Sequence, residues 1–214
     1  LAWSVSFMGW RASFLAIAGL MVFAAILVAL VVREDKPEPG AAMHHETLRE
    51  SIAGLREALT VRSIGPLFFC NLAAYSSFVL VVGLWGGPYL THIYGYGLTE
   101  RGDMLFLAVI AQIVASFLYG PTDQLFRGHK IPVVAGAVMT ALTLSVVAFL
   151  GVLPAFWLPV WFIAMGAVSA YTPVMIAHGK SLFPPHLTGR GMTILNMGTM
   201  GGAFLSQTVT GFVI

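Results

Sequence analysis

Long apolar stretches alternate with short polar ones along this chain, and almost every charge falls between the stretches. Residues 12–32, 63–91, 104–122, 131–177 and 191–214 contain no Asp, Glu, Lys, Arg or His. A bilayer core about 30 Å thick takes roughly 20 apolar residues per helix. Each stretch therefore predicts one crossing, and 131–177 predicts two. Helices are expected over 12–32, 64–85, 103–120, 131–152, 156–178 and 191–214. The fold class is all-α, a polytopic transmembrane helical bundle.

Breakers and interface residues set the boundaries. Residues 1–10 read as the end of a crossing and a turn, and Gly9-Trp10-Arg11 opens the first complete helix. Trp and Arg suit the headgroup level, where an amphipathic ring and a snorkelling cation are at home. Trp85-Gly86-Gly87-Pro88-Tyr89 is expected to end the second helix, and Pro154 marks a turn.

Residues 33–62 form the one long polar segment and hold 11 of the chain's 20 charged residues. Lys36-Pro37-Glu38-Pro39-Gly40 marks it as a linker. After it, Leu48, Ile52, Leu55 and Leu59 recur at helical spacing beside Arg49, Glu50, Arg56 and Glu57. That pattern predicts a short amphipathic helix lying on the membrane surface or against the bundle, or serving as a platform for a partner. The expected organisation is a first part over 1–32, a linker over 33–62 and a helical bundle over 63–214.

Composition agrees with a lipid solvent. The chain is 58% hydrophobic and 9% charged, with a mean hydropathy of +0.87. Soluble domains carry about 25% charged residues. The net charge of +2 is small. The basic residues form no cluster suited to nucleic acid, which is excluded as a partner. Cys70 stands alone in an apolar run and reads as a small core residue. Loops 33–62, 121–130 and 179–190 hold nine Lys and Arg, and the opposite set holds only Arg11 and Arg101. The positive-inside bias places the nine-cation side in the cytoplasm. The chain starts at Leu1 without Met and stops inside an apolar run, so it is expected to be a piece of a longer protein.

The pattern resembles the major facilitator superfamily of secondary transporters. Gly9-Trp10-Arg11 with Phe14 looks like the turn into that family's sixth helix. The charged linker falls where the family joins its two six-helix halves. Asp123-Gln124-Leu125-Phe126-Arg127-Gly128-His129-Lys130 is similar to the charged loop between the eighth and ninth helices. It departs from the usual Asp-Arg-x-Gly-Arg-Lys form, since Gln124 replaces Arg and Gly128 falls two positions late. Pro184-Pro185, Gly189-Arg190-Gly191 and Asn196 resemble the start of the eleventh helix. The resemblance implies a chain running from the sixth to the eleventh helix, with the final helix absent. It also implies a gating role for Asp123, Arg127 and Lys130. By the same resemblance the helix at 131–152 is peripheral.

Polar residues inside hydrocarbon are costly unless they find a partner or water, so they are the informative ones. Asn71 and Tyr75 are four apart on one face. Gln112, Ser116 and Tyr119 share another. Asn196, Met200, Ala203 and Gln207 line up on the last helix. Ser169 and Tyr171 precede Pro173, where a freed carbonyl could bind or bend the helix. The candidates for a solute cavity are Asn71, Tyr75, Gln112, Tyr171, Asn196 and Gln207. The competing reading is interhelical hydrogen bonding that only stabilises the bundle. Thr140, Thr143 and Ser145 can bond back to their own backbone, which suits a lipid-facing scaffold. Gly198 and Gly202 allow close helix approach, and internal packing is favoured over dimerisation.

His44, His45, Glu46 and Glu50 fit no metal-ligand spacing and read as a solvated loop, so no metal or other cofactor is expected. His178, Lys180 and His186 lie near the cytoplasmic mouth, where lipid headgroups are favoured over an anionic substrate as their partners. No span holds a carboxylate. Proton coupling would then reside in the missing half, or coupling is to another ion such as Na+, or transport is uniport. The expected function is alternating-access transport of a small solute across a bacterial inner membrane. A sensor or assembly subunit is the alternative. An intramembrane enzyme is disfavoured, because the spans hold no Gly-x-Ser-x-Gly, no His-Glu-x-x-His and no paired carboxylates.

Overall fold

A computed structural model describes residues 2–32 and 47–213. Those residues are helical with short connections, and no strand occurs among them. They fall into two compact units, Leu1–Leu48 and Arg49–Ile214. Residues 33–46 of the polar linker, with His44, His45 and Glu46, lie outside the described residues.

The first unit contains helix α1 (Ala2–Val31), kinked at Gly9 with φ 75° and ψ 165°. Glycine adopts that backbone at no steric cost. The expected turn at Gly9-Trp10-Arg11 is therefore a kink inside one helical run. The Ser13 hydroxyl donates to the Gly9 carbonyl at 3.0 Å. The Arg11 guanidinium stands 5.2 Å from the Trp10 ring centroid, a cation–π pairing.

The second unit runs through α2 (Leu48–Thr60), α3 (Ile64–Val79), a π-helical turn (Leu80–Trp85) and α4 (Gly86–Tyr94). It continues with α5 (Leu98–Tyr119), the single turn α6 (Thr122–Leu125) and α7 (Lys130–Leu150). A 3₁₀ turn (Ala155–Trp157) leads into α8 (Leu158–Val168), α9 (Thr172–Leu182) and α10 (Thr188–Val213).

One predicted boundary is corrected. Gly86-Gly87-Pro88 does not end the second crossing, which continues to Tyr94 and stops at Gly95, φ 70°. The π turn explains why. It shifts the hydrogen-bond register just before Gly86, whose N–H bonds the Val81 carbonyl, so Pro88 falls in the first turn of α4 where that register changes. A Cβ on Gly86 would overlap the Val81 carbonyl, so glycine lets the wide turn close.

Among the described residues, five stretches are long and apolar enough to cross a membrane: Ala2–Val31, Ile64–Tyr94, Leu98–Tyr119, Lys130–Leu150 and Ala155–Leu182. This is the pattern of a multi-pass integral membrane protein with a bilayer as its surroundings. The expected sixth crossing is also a helix, α10 of 26 residues. Its Gly, Thr, Asn, Ser and Gln content leaves it outside the apolar five.

Small residues bring the helices of this unit together. Gly166 of α8 lies against the Ala108 backbone of α5, with Phe162 and Met165 fully buried beside it. Gly198 and Gly202 of α10 face Phe68 and Leu72 of α3, so this glycine pair packs inside the bundle as expected. At one end of the bundle the Tyr94 hydroxyl ties the Leu153 backbone on both sides. It donates to the Leu153 carbonyl and accepts from the Leu153 N–H, both at 2.8 Å. The Tyr89 hydroxyl meets it at 3.1 Å. On α7 the hydroxyls of Thr140, Thr143 and Ser145 bond back to Gly136, Met139 and Ala141, each at 2.8 Å.

Candidate functional site

Helices α3, α9 and α10 line an open recess of about 420 Å³. Its polar lining is Asn71 from α3, Thr172 from α9, and Thr193, Asn196 and Thr199 from α10; Met175 and Met192 supply apolar walls. The α10 contribution follows a helical stripe, Gly189, Met192, Thr193, Asn196 and Thr199. Asn71 lies seven residues into α3, roughly 10 Å along its axis at 1.5 Å per residue. Thr199 lies eleven residues into α10, roughly 16 Å deep by the same rise. The cavity thus reaches from the end of the bundle where α9 and α10 connect towards its middle.

The break between α8 and α9 places one wall. Pro173 cannot donate to the Ser169 carbonyl. The chain leaves helical form over 169–171 and restarts at Thr172, beside the cavity. The Ser169 hydroxyl bonds back to Gly166 at 3.1 Å.

The two asparagines differ in kind. Asn71 is buried, its amide donates to the Leu67 carbonyl at 2.8 Å, and its oxygen accepts from the Thr199 hydroxyl at 3.3 Å. Its hydrogen bonds are met by protein. Asn196 is exposed and has no hydrogen-bond partner among the described residues. An amide at this depth needs water or a polar solute, since leaving it bare in hydrocarbon costs several kcal/mol.

The cavity brings together two of the six sequence candidates, Asn71 and Asn196. Tyr75, Gln112 and Gln207 are half-buried and do not line it. Tyr171 is buried elsewhere, its ring 6.5 Å from that of Tyr119 and pressed on Gly136, where a Cβ would overlap it. Cys70 packs at the edge of the same cluster. Sequence reasoning missed Thr172, Thr193 and Thr199. The spacing of Gly189, Thr193 and Asn196 carried a usable signal, because four- and three-residue steps share a helix face.

In the loop after α5, Asp123 Oδ1 accepts from the Gln124 N–H at 2.7 Å, and Oδ2 lies 3.8 Å from His129 Nδ1. The Asp123 carbonyl accepts from the Gly128 N–H at 2.9 Å, with Arg127 between them at φ 51°. Arg127 and Lys130 are exposed and make no ion pair among the described residues. The ring of His129 stands 5.2 Å from that of His178 on α9. His186 contacts Glu57 at 3.4 Å, and Lys180 is exposed.

No family model matches the chain, and comparisons with curated proteins and with solved structures likewise find no match. The apolar helices mark a multi-pass membrane bundle, and a mainly apolar recess carrying a few amide and hydroxyl groups lies between α3, α9 and α10.

Proposed function

We propose that this chain belongs to a secondary transporter of a small polar solute, and that the α3–α9–α10 cavity forms one wall of its solute path. The observation that carries the reading is Asn196, an amide without a hydrogen-bond partner among the described residues, which lines a mainly apolar recess together with Asn71, Thr172, Thr193 and Thr199. Transporters place solute sites near mid-membrane, at broken helices lined by such groups. The resemblance of the linker, the 123–130 loop and the start of α10 to the major facilitator superfamily supports alternating access. On that reading the protein sits in a bacterial inner membrane. It couples to H+ or Na+ through a group outside the spans, or works as a uniporter, and catalyses no covalent chemistry.

The test uses the full-length chain in proteoliposomes with a panel of radiolabelled sugars, organic acids, amino acids and nucleosides. At least one should accumulate above empty-vesicle leakage. Losing one neutral hydrogen bond costs about 0.5–1.5 kcal/mol, so Asn196→Ala should raise the KM for that solute about 2- to 10-fold. A companion variant, Asn196→Cys with Cys70→Ser, should react with a small water-soluble maleimide. A reactive position 196 with no uptake of any solute points to a sensor or assembly subunit. Uptake with an unchanged KM places the solute elsewhere.

A further inference from the structure

Helix α2 carries four distinct edges. At 3.6 residues per turn, take the stripe Leu48, Ile52, Leu55 and Leu59 as the reference direction. Gly54 and Ala58 then lie about 110° to one side, and Arg49 and Arg56 about 80° to the other. Glu50 and Glu57 lie about 180° away.

The edge that docks on the bundle is the small one, not the leucine stripe. Ala58 is fully buried in a cluster with Ile64, Leu67, Phe183 and Leu187, and a side chain on Gly54 would overlap the Arg190 guanidinium. The leucine stripe stays uncovered: Leu48 is 84% exposed, Ile52 56%, Leu55 38% and Leu59 54%. Beside it, Arg49, Ile52, Ala53 and Arg56 line a groove of about 500 Å³. Both arginines are exposed and make no ion pair among the described residues.

We infer that α2 is a membrane-surface helix whose leucine stripe enters the boundary of the bilayer, with Arg49 and Arg56 holding the phosphate of an anionic lipid. The order of the edges carries this. With the small edge on the bundle and the stripe turned to hydrocarbon, the two arginines point away from the protein, into the surrounding headgroups. The same orientation keeps Glu50 and Glu57 on the face opposite the stripe, away from anionic lipid, with Glu57 exposed beside His186. Position agrees, since α2 ends at Thr60 and the span Ile64–Tyr94 begins four residues later. A lipid surface is therefore within reach of α2 wherever the span enters the membrane. Burial of an apolar face, with cations at its flank, is the physical basis of interfacial binding.

The test places a nitroxide at Leu55→Cys or, separately, Glu57→Cys, each with Cys70→Ser, in the full-length chain. The host vesicles are phosphatidylcholine with phosphatidylglycerol. The label at 55 should relax faster with oxygen than with a water-soluble nickel chelate, and the label at 57 should do the reverse. Nickel access at 55 equal to that at 57 would overturn the inference. Shielding of 55 from both probes would also overturn it, in favour of a second copy or another protein on the stripe. Lipid retention by the purified chain gives an independent readout. Arg49→Gln and Arg56→Gln should each lower the preference for phosphatidylglycerol over phosphatidylcholine about fivefold. An unchanged preference, or displacement of bound phosphatidylglycerol by equal inorganic phosphate, would refute the lipid site. Both arginines are exposed, so these variants keep the fold.

Discussion

Replacing Gly202 with Ala tests the packing of α10 on α3 at a single atom. A Cβ on Gly202 would lie 2.7 Å from the Leu72 carbonyl carbon and 2.8 Å from its Cα. Carbon atoms in contact sit about 3.5–4.0 Å apart, so the helices must separate by roughly 1 Å. What is struck is backbone, which cannot swing aside as a side chain would. A gap of that size forfeits roughly a quarter to a half of each dispersion contact across the interface. Overpacking of this kind costs about 1–3 kcal/mol. Alanine returns up to about 1 kcal/mol through better helix propensity, leaving a net loss of about 0–2 kcal/mol. The neighbouring Gly201 supplies the control, because a Cβ there meets nothing within 4 Å. Gly201→Ala should therefore stabilise by up to about 1 kcal/mol. The propensity gain is common to both, so the two variants should differ by the overpacking cost, about 1–3 kcal/mol, roughly 2–12 °C in Tm for a chain of this size. Cys70 provides the assay: it is half-buried, so a thiol-reactive fluorophore reports unfolding during a detergent melt. A Gly202→Ala variant that melts with or above Gly201→Ala would show that α3 and α10 do not approach this closely.

Two further predictions follow from named contacts. Tyr94→Phe leaves the Leu153 N–H and carbonyl without their hydroxyl partner, and should cost about 1–3 kcal/mol; an unchanged melt would mean water replaces the phenol freely. For topology, Asp123→Cys with Cys70→Ser should resist an impermeant maleimide in intact cells and react in inside-out vesicles; ready labelling from outside would reverse the orientation drawn from the Lys and Arg bias.

The sequence by itself determined that this is an all-helical membrane protein and roughly where its crossings lie. Apolar length and the placement of charge are local properties, and a bilayer imposes one fixed thickness on all of them. The hydroxyls of α7 were legible for the same reason, since their acceptors lie four residues back on their own helix. Tertiary structure decided which face of each helix looks inward. Asn71 and Thr199 meet across 128 residues of chain, and nothing near either in sequence announces it. Pro88 reads as a stop until the π turn before it shifts the hydrogen-bond register. The leucine stripe of α2 reads in sequence as suited to the membrane surface or to the bundle alike, yet it is Gly54 and Ala58 that dock on the bundle, where small residues give a close fit. The physical reason is general. In lipid, the interior of a bundle and its surroundings are equally apolar, so hydrophobicity marks a crossing but does not tell inside from outside. Small residues, hydrogen bonds and steric fit make that choice, and each depends on a neighbour far away in the chain.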